Sequence, residues 1–262
     1  MRMIKTNDIL THVVESGPTD GLPLLFSNSL GTDLRIWDRV LPLLPPGLRI
    51  IRYDTRGHGL TDCPPAPYHM GALVADAAAL LDALQVKDAV IVGLSVGGII
   101  AQGLAAERPD LLRGIVLCDT AAKIGTAEMW QQRIDAVHAG GIEALADATM
   151  ERWFSATFLR DRAAELAGWR NMLTRTPADG YTGCGAAIAE TDLMDSTSRL
   201  RLPTLALGGS EDGATPPDLV RETADLIPGS RFHVVQGAGH LPCVEAPDIV
   251  ATLITGFLDS LS

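Results

Sequence analysis

The four cysteines, Cys63, Cys118, Cys184 and Cys243, are scattered along the chain with no CxxC step and no histidine-rich spacing. That excludes the usual patterns of a zinc site or a disulfide framework, and the thiols are expected to be reduced. Cys118 lies in an apolar run and reads as core, while Cys184, after Gly180-Tyr181, leaves a catalytic thiol as a minor alternative. Positive charge is also scarce: 21 Lys and Arg stand against 32 Asp and Glu, for a net charge of -11. Such a surface repels phosphate backbones and anionic lipid, so neither nucleic acid nor membrane is expected as a partner. No segment approaches the length of a transmembrane helix, and the opening MRMIKTNDILTHVVESG lacks the continuous apolar stretch of a signal peptide. A cytoplasmic protein is expected. Low-complexity tracts, charge blocks and internal repeats are missing too, which leaves little room for disorder away from the ends.

What is present is enough apolar material, 47% of 262 residues, for one large core. Apolar runs bounded by turn residues predict strands at Ile9 to Val14, Pro23 to Phe26, Leu48 to Tyr53, Ala89 to Leu94 and Gly114 to Cys118. Between them, Met70, Leu73, Val74, Ala77, Leu80, Leu81 and Leu84 line one face of a helix, and Val96 to Glu107 reads as another. Alternating strands and helices predict an α/β fold with a mostly parallel, doubly wound sheet. The alternation stops at residues 123–199, which read as helical and hold three of the four tryptophans. It resumes with strands at Thr204 to Gly208 and Arg231 to Val235 and helices at Pro217 to Ile227 and Pro247 to Leu261. The expected organisation is a core of 1–122 and 200–262 with a helical cap inserted at 123–199. A cap there would close over the carboxyl ends of the strands, where open α/β sheets bind ligands.

Directly after a buried strand stands Gly93-Leu94-Ser95-Val96-Gly97, and a helix follows. GxSxG in that setting places a serine on a tight, strained turn, with glycines allowing strand and helix to pack closely around it. A serine hydroxyl needs a base within hydrogen-bond reach and a third group to orient that base. This arrangement resembles the α/β-hydrolases, which implies a nucleophile, an acid and a histidine in that chain order. His240, in Gly237-Ala238-Gly239-His240 after the last strand, fits the base; His58 precedes the nucleophile and reads as a structural turn residue. His12, His69, His138 and His233 have no comparable loop. Asp212, in Gly209-Ser210-Glu211-Asp212-Gly213, fits the acid, with Glu211 and Asp119 as open alternatives. The oxyanion hole is expected from the backbone N–H of Val96 and one N–H of the loop Ser27-Asn28-Ser29-Leu30-Gly31, with Leu30 preferred over Ser29. Hydrolysis by such a set requires no metal and no cofactor.

Three stretches narrow the resemblance: Asn28 to Leu34 with Trp37; Thr120 to Gly125 with Trp130 to Ile134; and Arg152-Trp153-Phe154 with Gly180 to Cys184. Together they are similar to the 3-oxoadipate enol-lactonases, which tend to carry Asn-Ser where many α/β-hydrolases carry His-Gly, though many have paired cysteines where Cys184-Gly185 stands here. The resemblance implies hydrolysis of 3-oxoadipate enol-lactone to 3-oxoadipate in aromatic-compound degradation by the β-ketoadipate route. A small anionic lactone entering an acidic protein calls for a local cation. Arg133 and Arg152 are candidates, with Trp130 and Trp153 as flat apolar walls. For each arginine a solvated helix face is the competing reading, and for each tryptophan a place in the cap core. A related small-acid esterase or carbon–carbon bond hydrolase stays open, as do a perhydrolase-type side activity, a nonenzymatic hydrolase-fold receptor and a homo-oligomeric state.

Overall fold

A computed structural model describes residues 1–261. Eight strands form one sheet: β1 (Arg2–Thr6), β2 (Ile9–Ser16), β3 (Leu22–Ser27), β4 (Leu48–Tyr53), β5 (Ala89–Leu94), β6 (Leu112–Cys118), β7 (Thr204–Gly209) and β8 (Arg231–Val235). Their spatial order is β1-β2-β4-β3-β5-β6-β7-β8. β3 through β8 run parallel, whereas β2 is antiparallel to both β1 and β4. Every residue of β5 and of β7 is buried, as expected for parallel strands covered on both faces, which show continuous rather than alternating apolar patterns.

The core helices are α1 (Met70–Ala83) and α2 (Val96–Glu107), which pack against each other. The stripe Met70, Leu73, Val74, Ala77, Leu80 and Leu81 is buried, as its spacing predicts. Between β6 and β7 run α3 (Ala127–Gly140), α4 (Ala146–Trp153), α5 (Ala156–Asp161), α6 (Ala163–Thr174), α7 (Ala178–Ala189) and α8 (Met194–Thr197), with no strand among the described residues of that segment. After β7 come α9 (Pro217–Leu226), then α10 (Pro242–Glu245) and α11 (Pro247–Asp259). Among the described residues no helix is long and apolar enough to cross a membrane.

Two details depart from the sequence reading. β1 is an additional edge strand, joined to β2 through Asn7-Asp8, with Asn7 in the left-handed region at φ 53°, the turn chemistry of a tight hairpin. Four of its five residues are exposed or half-buried, on both faces alike, so the alternation that would reveal it is absent. The last helix ends at Asp259, two residues before the apolar pattern does.

Within the inserted segment, α7 packs against α1 and the loop after β4, and α8 against α2 and α9. A Cβ on Gly180 would stand 1.9 Å from the Gly57 carbonyl oxygen, and one on Gly183 2.7 Å from the Tyr68 ring. These contacts explain the glycines of Gly180-Tyr181-Thr182-Gly183: the helix approaches the loop after β4 backbone to backbone. That loop is fixed from below by Arg56, whose Nε and Nη2 donate to both carboxylate oxygens of Asp76 at 2.8 Å. Arg56 is 5% and Asp76 4% exposed, so each charge depends on the other. Burial pushes the Asp76 carboxyl up, opposed by the Arg56 hydrogen bond and charge. Replacing Asp76 by Ala leaves Arg56 with only the exposed Asp8, and urea denaturation is expected to show a loss of about 3 kcal/mol.

Candidate active site

Ser95 joins β5 to α2 with φ 56° and ψ -117°, a conformation that costs a non-glycine residue about 1–3 kcal/mol. The surroundings hold it there. Its carbonyl accepts from the Gly98 and Ile99 amides and from Thr120 Oγ1 at 2.6 Å. A Cβ on Gly93 would lie 2.2 Å from the Gly97 carbonyl oxygen, and one on Gly97 2.3 Å from that of Ser27. The two glycines of the motif therefore let strand, turn and the end of β3 come together around the serine.

The loops after β7 and β8 bring Asp212 and His240 into contact: His240 Nδ1 is 2.8 Å from Asp212 Oδ2. The same carboxylate accepts from the Ala214 and Thr215 amides on Oδ1 and from Thr215 Oγ1 on Oδ2. Burial alone would raise the Asp212 carboxyl, but the charge and hydrogen bond of His240, with the Ala214 amide and Thr215 hydroxyl, bring it down to about 2. It is the ionised partner. Thr215 also lies 3.3 Å from His240 Nδ1; its part was not read from the sequence, although a hydroxyl three residues after an acid is a turn signal. Both side-chain hydrogen bonds of His240 run through Nδ1, which leaves Nε2 to take a proton. A direct Ser95–His240 hydrogen bond is not formed among the described residues, and such bonds commonly tighten only with substrate in place.

The other acids separate clearly. Glu211 faces elsewhere and caps the Ala156 amide at 3.0 Å. Asp119, fully buried, offers an oxygen within 4.8 Å of both Asp212 and His240. His58 is held between two backbone groups: Nδ1 is 3.1 Å from the Arg56 carbonyl, and Nε2 accepts the Gly31 amide at 2.9 Å. The carbonyl can only accept and the amide only donate, so the tautomer is settled, and burial lowers the His58 pKa in favour of the neutral ring. His58 thus pins the loop after β3. Asn28 pins the same loop, donating to the Tyr53 carbonyl at 2.7 Å and accepting from Trp37 Nε1 at 2.9 Å. Between these anchors the Leu30 amide, like that of Val96 at the start of α2, has no protein acceptor among the described residues. Cys184 is buried in α7 with its thiol pushed up by burial, the opposite of an activated nucleophile.

Residues of the helical segment approach the loop after β3. A Cβ on Gly31 would lie within 2.5 to 3.6 Å of Leu173, Tyr181 and Trp153. Trp130 donates Nε1 to the Ile124 carbonyl at 2.7 Å. Arg133 stacks over its ring at 5.1 Å and donates to the Tyr181 hydroxyl at 2.7 Å. Arg152 is set beside the acid loop, its carbonyl accepting the Gly213 amide. Burial and then the charge of Arg133 hold its guanidinium below the ordinary value, while Tyr181 and Asp212 act in the other direction. Among the described residues neither arginine makes an ion pair, and the Nε of each is buried without a partner.

Residues 23–247 match the profile of the alpha/beta hydrolase fold family. The chain belongs to that family. Among α/β-hydrolases, 3-oxoadipate enol-lactonase 2 of Acinetobacter baylyi is 34% identical over 93% of this chain and 91% of its own. The enol-lactonase of Burkholderia xenovorans LB400 superposes with a TM-score of 0.95 at 34% identity, covering 98% of this chain and all of that one. A thermophilic esterase of Thermogutta terrifontis, solved with malate bound, gives 0.92 at 30% identity over 99% and 98%.

The electrostatics of this hydrolase fix one acid-side property. The Asp212 carboxyl is lowered from its ordinary 3.8 to about 2, so its stabilisation is fully present above pH 4 and is lost as pH falls through 2. Denaturation followed across that window is expected to lose about 2 kcal/mol from this group. The Asp212→Asn variant should lack that increment.

Proposed function

We propose that this α/β-hydrolase opens esters or lactones through Ser95, His240 and Asp212, and that its substrate is 3-oxoadipate enol-lactone, converted to 3-oxoadipate in aromatic-compound degradation. The observation that carries the substrate assignment is the pair Arg133 and Arg152: two half-buried guanidiniums, near enough that the charge of Arg133 lowers Arg152, each with a buried Nε that has no partner and neither in an ion pair among the described residues. Two like charges without a counter-anion are costly. A ligand carboxylate relieves both the repulsion and the unpartnered donors. The enol-lactonases at 34% identity act on a lactone of that kind, and the resemblance extends over nearly the whole chain.

In this reading residues 123–199 form the cap. Trp130 and Trp153 give the lactone flat apolar walls, and Arg133 with Arg152 receives its carboxylate arm. Ser95 attacks the lactone carbonyl as His240 Nε2 takes the hydroxyl proton, and Asp212 stabilises the imidazolium through Nδ1. The Leu30 and Val96 amides, both without protein acceptors among the described residues, receive the oxyanion. His240 then protonates the departing enolate, which tautomerises to the ketone. Water, deprotonated by the same imidazole, releases the acyl group. No step calls on a metal or cofactor.

Turnover of purified protein on the enol-lactone beside a neutral aryl ester tests the assignment. Strong preference for the lactone, abolished in Ser95→Ala, is expected; rapid ester cleavage with an idle lactone overturns the substrate, leaving a small-acid esterase. Asp212→Asn should fold normally and lose about four orders of magnitude in rate. Arg133→Met and Arg152→Met should each raise KM for the lactone about tenfold or more, the worth of one charge-assisted hydrogen bond, with the aryl ester little affected. Equal effects on both substrates would remove the carboxylate role.

A further inference from the structure

Asp119 follows β6 directly, in the left-handed region at φ 44°, is wholly buried, and directs a side chain toward the Asp212–His240 pair. Its Oδ1 accepts the Gly209 amide at 2.7 Å, while Oδ2 has no donor. Asp212 contrasts with it: two amides, a hydroxyl and an imidazole donate to its two oxygens. Two carboxyl groups this close and this buried cannot both be ionised. With every available donor on Asp212, the missing proton belongs on Asp119.

We propose that Asp119 is a positioning residue that stays protonated in the folded protein and turns its O–H toward Asp212, holding the orienting carboxylate without adding a second negative charge beneath the histidine. The proposal rests on the Ser95, His240, Asp212 reading of the site but not on the identity of the substrate. The groups facing Asp119 are consistent with a neutral acid. Asp212 and His240 come from the loops after β7 and β8, Glu245 and Cys243 from α10, and Cys118 precedes it in β6. Burial first, then the charges of Asp212 and Glu245 and the hydrogen bond with Asp212, raise its carboxyl well above the ordinary value, against only the Gly209 amide. Burial pushes the Cys118 and Cys243 thiols up, so neither adds a further negative charge beside it. A divalent cation among Asp119, Asp212 and His240 is the competing way to reconcile the two carboxyls.

Side-chain carboxyl NMR of the 13C-aspartate-labelled wild-type protein, assigned through the backbone, tests the protonation directly. The Asp119 signal should hold its protonated shift through pH 6; titration near the ordinary carboxylate value overturns the proposal. Stability gives a second measurement. A carboxyl neutral when folded and ionised when unfolded makes the folding constant of the wild type fall relative to Asp119→Asn, about tenfold per pH unit between pH 5 and 6; parallel curves overturn the idea. Asp119→Asn, whose amide keeps a donor and an acceptor in place, should leave kcat and its pH profile within about threefold on whichever ester or lactone is turned over. Asp119→Ala should lower kcat about tenfold to a hundredfold with KM unchanged. Inactivity of folded Asp119→Asn, or a stoichiometric divalent metal that chelator removes together with activity, refutes the neutral-acid role.

Discussion

The hydrogen bond between Asp212 and His240 is the contact on which the rest of the site depends, because it places an ionised group where burial opposes one. Asp212 is 5% exposed and His240 1% exposed, and in that setting an isolated carboxylate would keep its proton. It is ionised because the chain delivers four donors to two oxygens within one short loop, Asp212 to Thr215, closed by the imidazole. Once Nδ1 is committed to the carboxylate, the other nitrogen of the ring is the one free to receive a proton. The charge state of the pair therefore follows from a solvation problem solved at Asp212.

The same use of backbone donors links the helical segment to the loops after β7 and β8. At the joint between α4 and α5 the chain runs directly beneath them. The Arg152 carbonyl accepts from Gly213, the Trp153 carbonyl from His240, and Ala156 donates to Glu211. Glu245 completes the connection, accepting from Ser155 and from the Gly239 amide at 2.8 Å. Burial raises its carboxyl, and these hydrogen bonds oppose the rise. Arg152 and Trp153 are thus fixed by their backbones to the loops that carry Asp212 and His240, and their side chains stay with those loops in any motion that leaves these bonds intact.

Much of this was legible in the sequence, for identifiable reasons. β5 announces itself as a short continuous apolar run, and GxSxG marks the turn from it into the equally buried α2. Asp212 and His240 follow because each stands in a glycine-containing loop immediately after a strand. β1 was hidden because an edge strand wet on both faces carries no alternation. The role of His58 as a clamp on Gly31, the four donors on Asp212, and the unpartnered Oδ2 of Asp119 were out of reach for a different reason. They depend on which loops meet across the sheet, and Gly31 and His58, or Asp119 and Asp212, are brought together only by the strand order.

That strand order also bears on how an acidic protein could treat an anionic ligand. The net charge of -11 belongs to the whole surface, where water and salt screen it beyond about a Debye length. Arg133 and Arg152 are half-buried, where screening is weaker and a charge at short range outweighs many at long range. Holding them unpaired costs stability. The cost is borne through the Trp130 ring beneath Arg133, the Tyr181 hydroxyl beside it and the α7 contact with Gly57 that keeps Tyr181 in place. A chain selected for stability alone would supply a carboxylate to these arginines from its excess of 11 acidic side chains. None pairs with them among the described residues, which leaves both guanidiniums open to an anionic ligand.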